Sequence, residues 1–162
     1  MSVSARILAL RGELVRAQRV LLRVEDFLVA YEARLPLSPG VEEAMVIAQA
    51  LSNYYTCAET IFVRISRFFE NGLEQDRWHQ ALLEKMVLEI PGLRPRVLSD
   101  TTFGNIQELL KFRHFTRYYF ELDYDWDKLR FLLKKFNKVR VLLNDELKRF
   151  EQYLADLNGT ED

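Results

Sequence analysis

Cysteine is almost absent from this chain: Cys57 stands alone. One cysteine forms no intramolecular disulfide and builds no thiolate metal site. Six Gly and four Pro in 162 residues leave little material for turns, which favours a few long elements over many short ones. The two histidines, His79 and His114, are far apart in sequence, and no His/Cys/carboxylate grouping has metal-ligand spacing. A ferritin-like centre would need paired Glu-x-x-His motifs, which are missing, and so is any Gly-rich phosphate loop. Neither a metal nor a cofactor is therefore expected. No apolar run is long enough to span a bilayer. Arg6, Arg11, Arg16, Arg19 and Arg23 interrupt the N-terminal segment, which does not read as a signal peptide. The expectation is a cytoplasmic protein with no membrane partner. Charge is balanced, 23 Lys and Arg against 24 Asp and Glu, so net charge alone predicts no nucleic-acid partner.

What the chain does hold is helical periodicity. From Val3 to Leu35, apolar residues recur at alternating steps of three and four, through Ile7, Leu10, Leu14, Ala17, Leu21, Val24 and Leu28. That spacing lines one face of a helix roughly 50 Å long. Pro36 stops it. A second helix is expected from near Ser38, with Ser38 as N-cap and Pro39 in the first turn. Its seam runs from Val41 through Leu51, Ala58 and Phe62 to Phe69, and Asn71-Gly72 ends it. A shorter helix is expected over Glu74 to Glu89, burying Trp78, Leu82 and Met86, then a Pro-Gly loop from Pro91 to Pro95. A fourth follows from about Thr101 to Glu121, capped by Ser99 or Asp100. The fifth covers Trp126 to Leu157, capped by Asp125. No alternating strand pattern competes. The fold class is all-α: one domain over residues 1–162, an antiparallel four-helix-type bundle with one additional short helix.

The fourth helix breaks its own pattern. Its ladder reads Phe103, Ile106, Leu110, Arg113, Arg117, Phe120, so two arginines occupy rungs of an apolar line. A guanidinium there must be paired or face a wet cleft. Lys111 adds charge, and His114 and Tyr118 share a neighbouring face. Two readings are open. The helix can turn this line to solvent and use Leu109, Phe112, Thr116 and Tyr119 as its core face. Alternatively the arginines form an anion site, since Arg presents paired donors to phosphate or carboxylate. Lys128, Arg130, Lys134, Lys135, Lys138 and Arg140, with no acid among them, form either a solvated face or the other wall of a groove for a phosphate backbone. Glu59 sits beside the seam of the second helix. It can pair with Arg113 or Arg117 across the bundle, or with nearby Arg64 or solvent. Cys57 reads as a small core residue, and Trp78-His79 as packing beside a surface or capping histidine.

Several of these blocks, in order, resemble a known family. Arg77-Trp78-His79, then Glu89-Ile90-Pro91-Gly92-Leu93-Arg94-Pro95, then Phe112-Arg113-His114-Phe115-Thr116-Arg117 and Glu121-Leu122-Asp123 resemble the HepT-like branch of the HEPN superfamily. The resemblance implies an all-α bundle that dimerises. It also implies a metal-independent ribonuclease of a toxin–antitoxin pair, partnered by a nucleotidyltransferase antitoxin. The family motif sets an arginine and a histidine four to six residues apart, with a tyrosine two residues further on that the antitoxin can modify. On this chain the motif arginine falls on Arg113, the histidine on Tyr118 and the tyrosine on Phe120. A phenol with a pKa of about 10 is a poor base at neutral pH, and Phe120 has no hydroxyl. The expected catalytic set is Arg113, His114, Arg117 and Tyr118, with Glu59, Lys111 and Phe120 in support. Three readings follow. The first is a degenerate HepT-like protein that binds RNA or its partner and cleaves weakly or not at all. The second is an active ribonuclease using Arg113 and His114, one helical turn short of position 118. The third is a purely structural, oligomerising bundle.

Overall fold

The structure is a computed structural model of the full chain, and it describes residues 1–70, 78–116 and 121–160. Among these residues there are five helices and no strand: α1 (Val3–Ala33), α2 (Val41–Glu70), α3 (Trp78–Val87), α4 (Asp100–Thr116) and α5 (Trp126–Gly159). The all-α bundle with a short additional helix is therefore present. Helices α1, α2, α4 and α5 form its four sides, and α3 packs over α2 and α4. The apolar seams read from the sequence are the core: Ile7, Leu14, Leu21 and Leu28 of α1 meet Leu51, Ala58 and Phe62 of α2 and Leu132, Phe136 and Leu143 of α5, all buried. The Tyr54 and Phe136 rings meet edge to face at 4.8 Å.

Helix ends follow local chemistry. Ser2 caps α1 by accepting from the Ala5 amide at 3.1 Å, and Asp125 caps α5 by accepting from Asp127 and Lys128. Ser38 does not cap α2. The helix starts at Val41, just after Gly40, whose carbonyl takes the Ala44 amide while Glu43 reaches back to the Gly40 N–H at 3.2 Å. The Glu43 carboxylate satisfies an N-terminal donor that Ser38 lies too far upstream to reach. Ser99 is the cap of α4, accepting from the Thr102 amide. Glu146 of α5 reinforces it, taking the Ser99 N–H at 3.0 Å and the Thr102 hydroxyl at 2.9 Å, where a carboxylate suits the positive end of the helix dipole. Helix α4 does not run to Glu121: Glu121–Asp125 is irregular chain leading into the α5 cap.

Between α3 and α4 the chain doubles back at Ile90–Arg94, where Gly92 adopts a φ of +74°, a left-handed conformation suited to glycine. The turn delivers Arg94 into the interior, 3 % exposed. All five of its N–H donors are used. Nε and Nη2 both donate to one Glu70 carboxylate oxygen, the Nε bond measuring 2.6 Å. Nη1 donates to the Leu88 and Pro95 carbonyls and Nη2 also to the Lys85 carbonyl. Ser66 holds the second Glu70 oxygen at 3.1 Å. Lys85 and Leu88 stand at the C-terminal end of α3, so Arg94 ties down the carbonyls of that end, the Lys85 carbonyl also taking the Leu88 amide at 3.1 Å.

Along the α1–α5 seam, polar pairs recur every seven residues on α5 and at steps of seven or fourteen on α1: Ser4 with Asn158 at 2.6 Å, Arg11 with Glu151 at 2.8 Å, Glu25 with Asn144 at 3.2 Å and Glu32 with Asn137 at 3.0 Å. Glu25 is buried, and desolvation holds its carboxyl above the ordinary 4.5, with the Asn144 amide only partly opposing.

Two measurements test this account. Glu70→Ala leaves the Arg94 guanidinium buried without its counter-ion, and it should cost about 3–5 kcal/mol in urea unfolding. A loss under about 1 kcal/mol would mean that water replaces the carboxylate. Because the folded chain holds the Glu25 proton at pH values where the unfolded chain has released it, stability falls as pH rises from 4.5 through the folded-state pKa. Glu25→Gln should therefore melt higher than wild type at pH 7, with the gap shrinking toward pH 4.

Candidate anion-binding cleft

Arg113 lies in the last turn of α4 and is half-buried. Its Nε donates to the Thr56 hydroxyl of α2 at 2.7 Å. Thr56 passes its own proton to the Ser52 carbonyl one turn earlier, at 2.9 Å, which leaves its lone pairs to the guanidinium. Thr116 continues the contact, its hydroxyl 3.3 Å from that of Ser52 and 3.1 Å from the Arg113 carbonyl. The α2–α4 crossing is thus polar at this point, and it fixes the arginine through one donor. Among the described residues, the paired Nη donors carry no further hydrogen bond, and these are the donors that grip phosphate or carboxylate in a fork.

The guanidinium forms part of the wall of a cleft of about 1440 Å³. Its floor is the outer face of α2, where Gln49, Ser52, Asn53 and Thr56 are small or polar. Arg23 and Phe27 of α1 stand on one side, Lys111, Phe112 and Phe115 of α4 on the other, and Tyr124 and Lys128 close the end. Among the described residues, four cations border it: Arg23, Lys111, Arg113 and Lys128. Three acids among them do too, but two are occupied. Glu108 takes Lys111 at 3.3 Å, and Asp125 caps α5.

The structure answers the two readings of α4 with a division of faces. Ile106, Leu109, Leu110 and Phe112 are all buried in the bundle, and Arg113 turns from that core toward the cleft. Leu109 and Phe112 are consumed by the chain's own core. Phe115, 57 % exposed, remains outside it. His114 is exposed in the last helical turn. Arg117, Tyr118 and Phe120 lie outside the described residues, as do Arg77 and the Asn71-Gly72 helix stop. Lys111 is exposed and pairs within its own helix.

Among the described residues, Glu59 pairs with neither Arg113 nor Arg64, and Arg117 lies outside them. Arg113 goes to Thr56, and Arg64 pairs with Glu13 of α1 at 2.7 Å. The buried Glu59 carboxylate instead receives the Tyr55 hydroxyl at 2.9 Å and stands 2.7 Å from His79 Nδ1. The direction in which α3 enters decides this, and no local pattern encodes it. The basic run of α5 also divides. Lys128 and Lys135 sit over the Phe131 ring, Arg130 over Trp126, and Arg140 donates to Asn137, so only Lys128 of the run reaches the cleft. Neither Arg23 nor Thr56 was read as a site residue in the sequence: Arg23 stood only among the charges that interrupt the N-terminal apolar run, and Thr56 was an ordinary helical position.

Other chemistry is thin. Cys57 is a free, half-buried thiol, and burial pushes its pKa up, so it is a poor nucleophile. Among the described residues, no group of three or more His, Cys, Asp or Glu could hold a metal. None of the described helices is long and apolar enough to cross a membrane.

Residues 46–154, about two thirds of the chain, match the family described as HepT-like protein, and the chain belongs to that family. The match begins inside α2, so α1 lies outside it. No curated protein matches the chain, and no solved structure does.

Proposed function

We propose that this chain is the toxin-type member of a nucleotidyltransferase toxin–antitoxin pair, a cytoplasmic protein that binds RNA or its antitoxin through the Arg113 cleft and whose ribonuclease activity is weak or lost. The observation that carries the reading is Arg113 itself, fixed by one donor to Thr56 with its forked Nη donors on a cleft that Arg23, Lys111 and Lys128 also border. A phosphate chain suits that arrangement, and Phe115 and Tyr124 add aromatic faces for bases. The weakness of cleavage rests on Tyr118 and Phe120 standing where the family motif places histidine and tyrosine. Charge stabilisation by Arg113 would survive this loss, but a group titrating near neutrality at position 118 would not.

Binding and chemistry are tested separately. Affinity for single-stranded RNA should fall steeply with salt, and Arg113→Ala should weaken binding and reduce the slope of log K against log salt by roughly 0.7. An unchanged slope would remove Arg113 from the binding site. Tyr118→His should then raise metal-free RNA cleavage by about 10²–10⁴-fold, the usual worth of general acid–base catalysis. No gain in a folded variant that still binds RNA would mean that the site has drifted by more than one residue.

The protein is further proposed to act as a two-fold homodimer that brings two Arg113 clefts together, with exposed Phe115 at the seam. Light scattering at micromolar concentration should give twice the 19.2 kDa chain mass; a strictly monomeric mass would overturn the assembly.

A further inference from the structure

The cluster that the Arg113 cleft does not absorb is Tyr55, Glu59 and His79. Glu59 is 5 % exposed, and a single carboxylate oxygen meets both the Tyr55 hydroxyl at 2.9 Å and His79 Nδ1 at 2.7 Å. An ionised carboxylate only accepts, so the imidazole proton sits on Nδ1 and Nε2 is the basic nitrogen. Trp78 stacks on the imidazole with centroids 3.7 Å apart and planes 28° from parallel, which fixes the ring orientation as well as its tautomer. The His79 side chain keeps 26 % of its surface, so solvent and solutes reach it. Burial, followed by the Glu59 charge, pushes the Tyr55 phenol far above its ordinary range, so Tyr55 remains a proton donor to the carboxylate.

This cluster is not remote from the arginine. Thr56, which holds Arg113, and Glu59, which holds His79, are three residues apart on α2, about one helical turn. The Arg113 charge also acts on the Tyr55 phenol, opposing the effect of Glu59. One turn of α2 therefore carries an oriented imidazole from α3 and an anion-binding guanidinium from α4. A histidine needed only for packing would require neither a dedicated buried carboxylate nor access to solvent.

We propose that His79 is a catalytic residue of the Arg113 site, with Glu59 and Tyr55 as its positioning residues, acting as general base on an RNA phosphodiester. This rests on the reading of the cleft as an RNA site. His79 Nε2 takes the 2′-hydroxyl proton, and the freed oxygen bonds to the adjacent phosphorus. The bond from phosphorus to the 5′-oxygen breaks, and the imidazolium returns its proton to that leaving oxygen. The products are a 2′,3′-cyclic phosphate and a 5′-hydroxyl, with Arg113 holding the charge on the phosphate throughout. The weak cleavage expected of the wild type is assigned to this histidine, in place of the imidazole missing at position 118.

The test uses the full chain with a single-stranded RNA oligomer and excess chelator, measuring binding and cleavage in the same samples. Wild type should produce cyclic-phosphate ends slowly. His79→Gln should reduce the rate at least about 100-fold with RNA affinity unchanged, and added imidazole should restore cleavage to His79→Ala. Glu59→Gln should lower kcat and leave KM in place. It should also abolish the downfield proton resonance of the Nδ1–H, which a purely structural role for the carboxylate would not link to turnover. Thermal melts show whether each variant is folded, and imidazole rescue decides for His79 even if the variants lose some stability. Wild-type cleavage no faster than that of Arg113→Ala, or full activity in His79→Gln, would overturn the proposal. RNA binding that depends on Arg113 without any cleavage would remove the role of His79 and leave the binding function standing. Loss of that dependence would remove the binding function itself.

Discussion

The buried pair of Arg94 and Glu70 sets the geometry on which the rest depends. A guanidinium in the interior costs several kcal/mol unless its donors are met, and here the five N–H groups go to the end of α2, the end of α3 and the loop between α3 and α4. Those attachments fix where α3 stops relative to α2, and so where its first turn places Trp78 and His79 against Glu59. They also fix the entry into α4, where Ser99, Thr102 and Glu146 complete the cap. From that cap the length of α4 alone carries Arg113 to Thr56. The site is assembled at one end of a lever whose fulcrum is Arg94.

Apolar burial supplies the bulk of the cohesion, and polar contacts decide the alignment. Burying a large apolar side chain is worth about 1.5–3 kcal/mol wherever it is buried, so a core of leucines tolerates many alignments. Arg113 on Thr56, His79 on Glu59 and Arg94 on Glu70 each demand one. All three involve α2, which makes that helix the reference frame for the site.

Much of the fold was legible because burial along a helix follows a period that the sequence states openly. The seams of α1, α2 and α5 and the Asp125 cap stand where the apolar spacing and capping chemistry put them, except at Val41, which opens α2 exposed to solvent. The break in the α4 ladder at Arg113 was legible for the same reason, since a charge in an apolar row stands out. The α2 start was misplaced because Ser38 and Gly40 both offer caps, and the choice fell to a side chain three residues downstream, Glu43. The partners of Glu59 were not legible at all. Nothing in the neighbourhood of Glu59 points to a histidine 20 residues away, because that contact is made by the return direction of α3. Thr56 was hidden likewise: a hydroxyl in a helix gains its role only when another helix crosses it.

The polar rungs between α1 and α5 act as a counting device. Apolar contacts repeat every heptad, so by packing alone α1 could slide along α5 by seven residues with little change in burial. The hydrogen-bonded pairs do not repeat in kind. Sliding α1 one heptad along α5 in one direction sets Glu25 against Glu151 and takes Arg11 off its carboxylate, leaving two negative charges facing each other in a seam where Glu25 is buried. The order of side chains along the two helices thus favours one alignment over that competitor. The matched family segment begins inside α2, so this alignment of α1 is set by side chains of α1 together with those of α5.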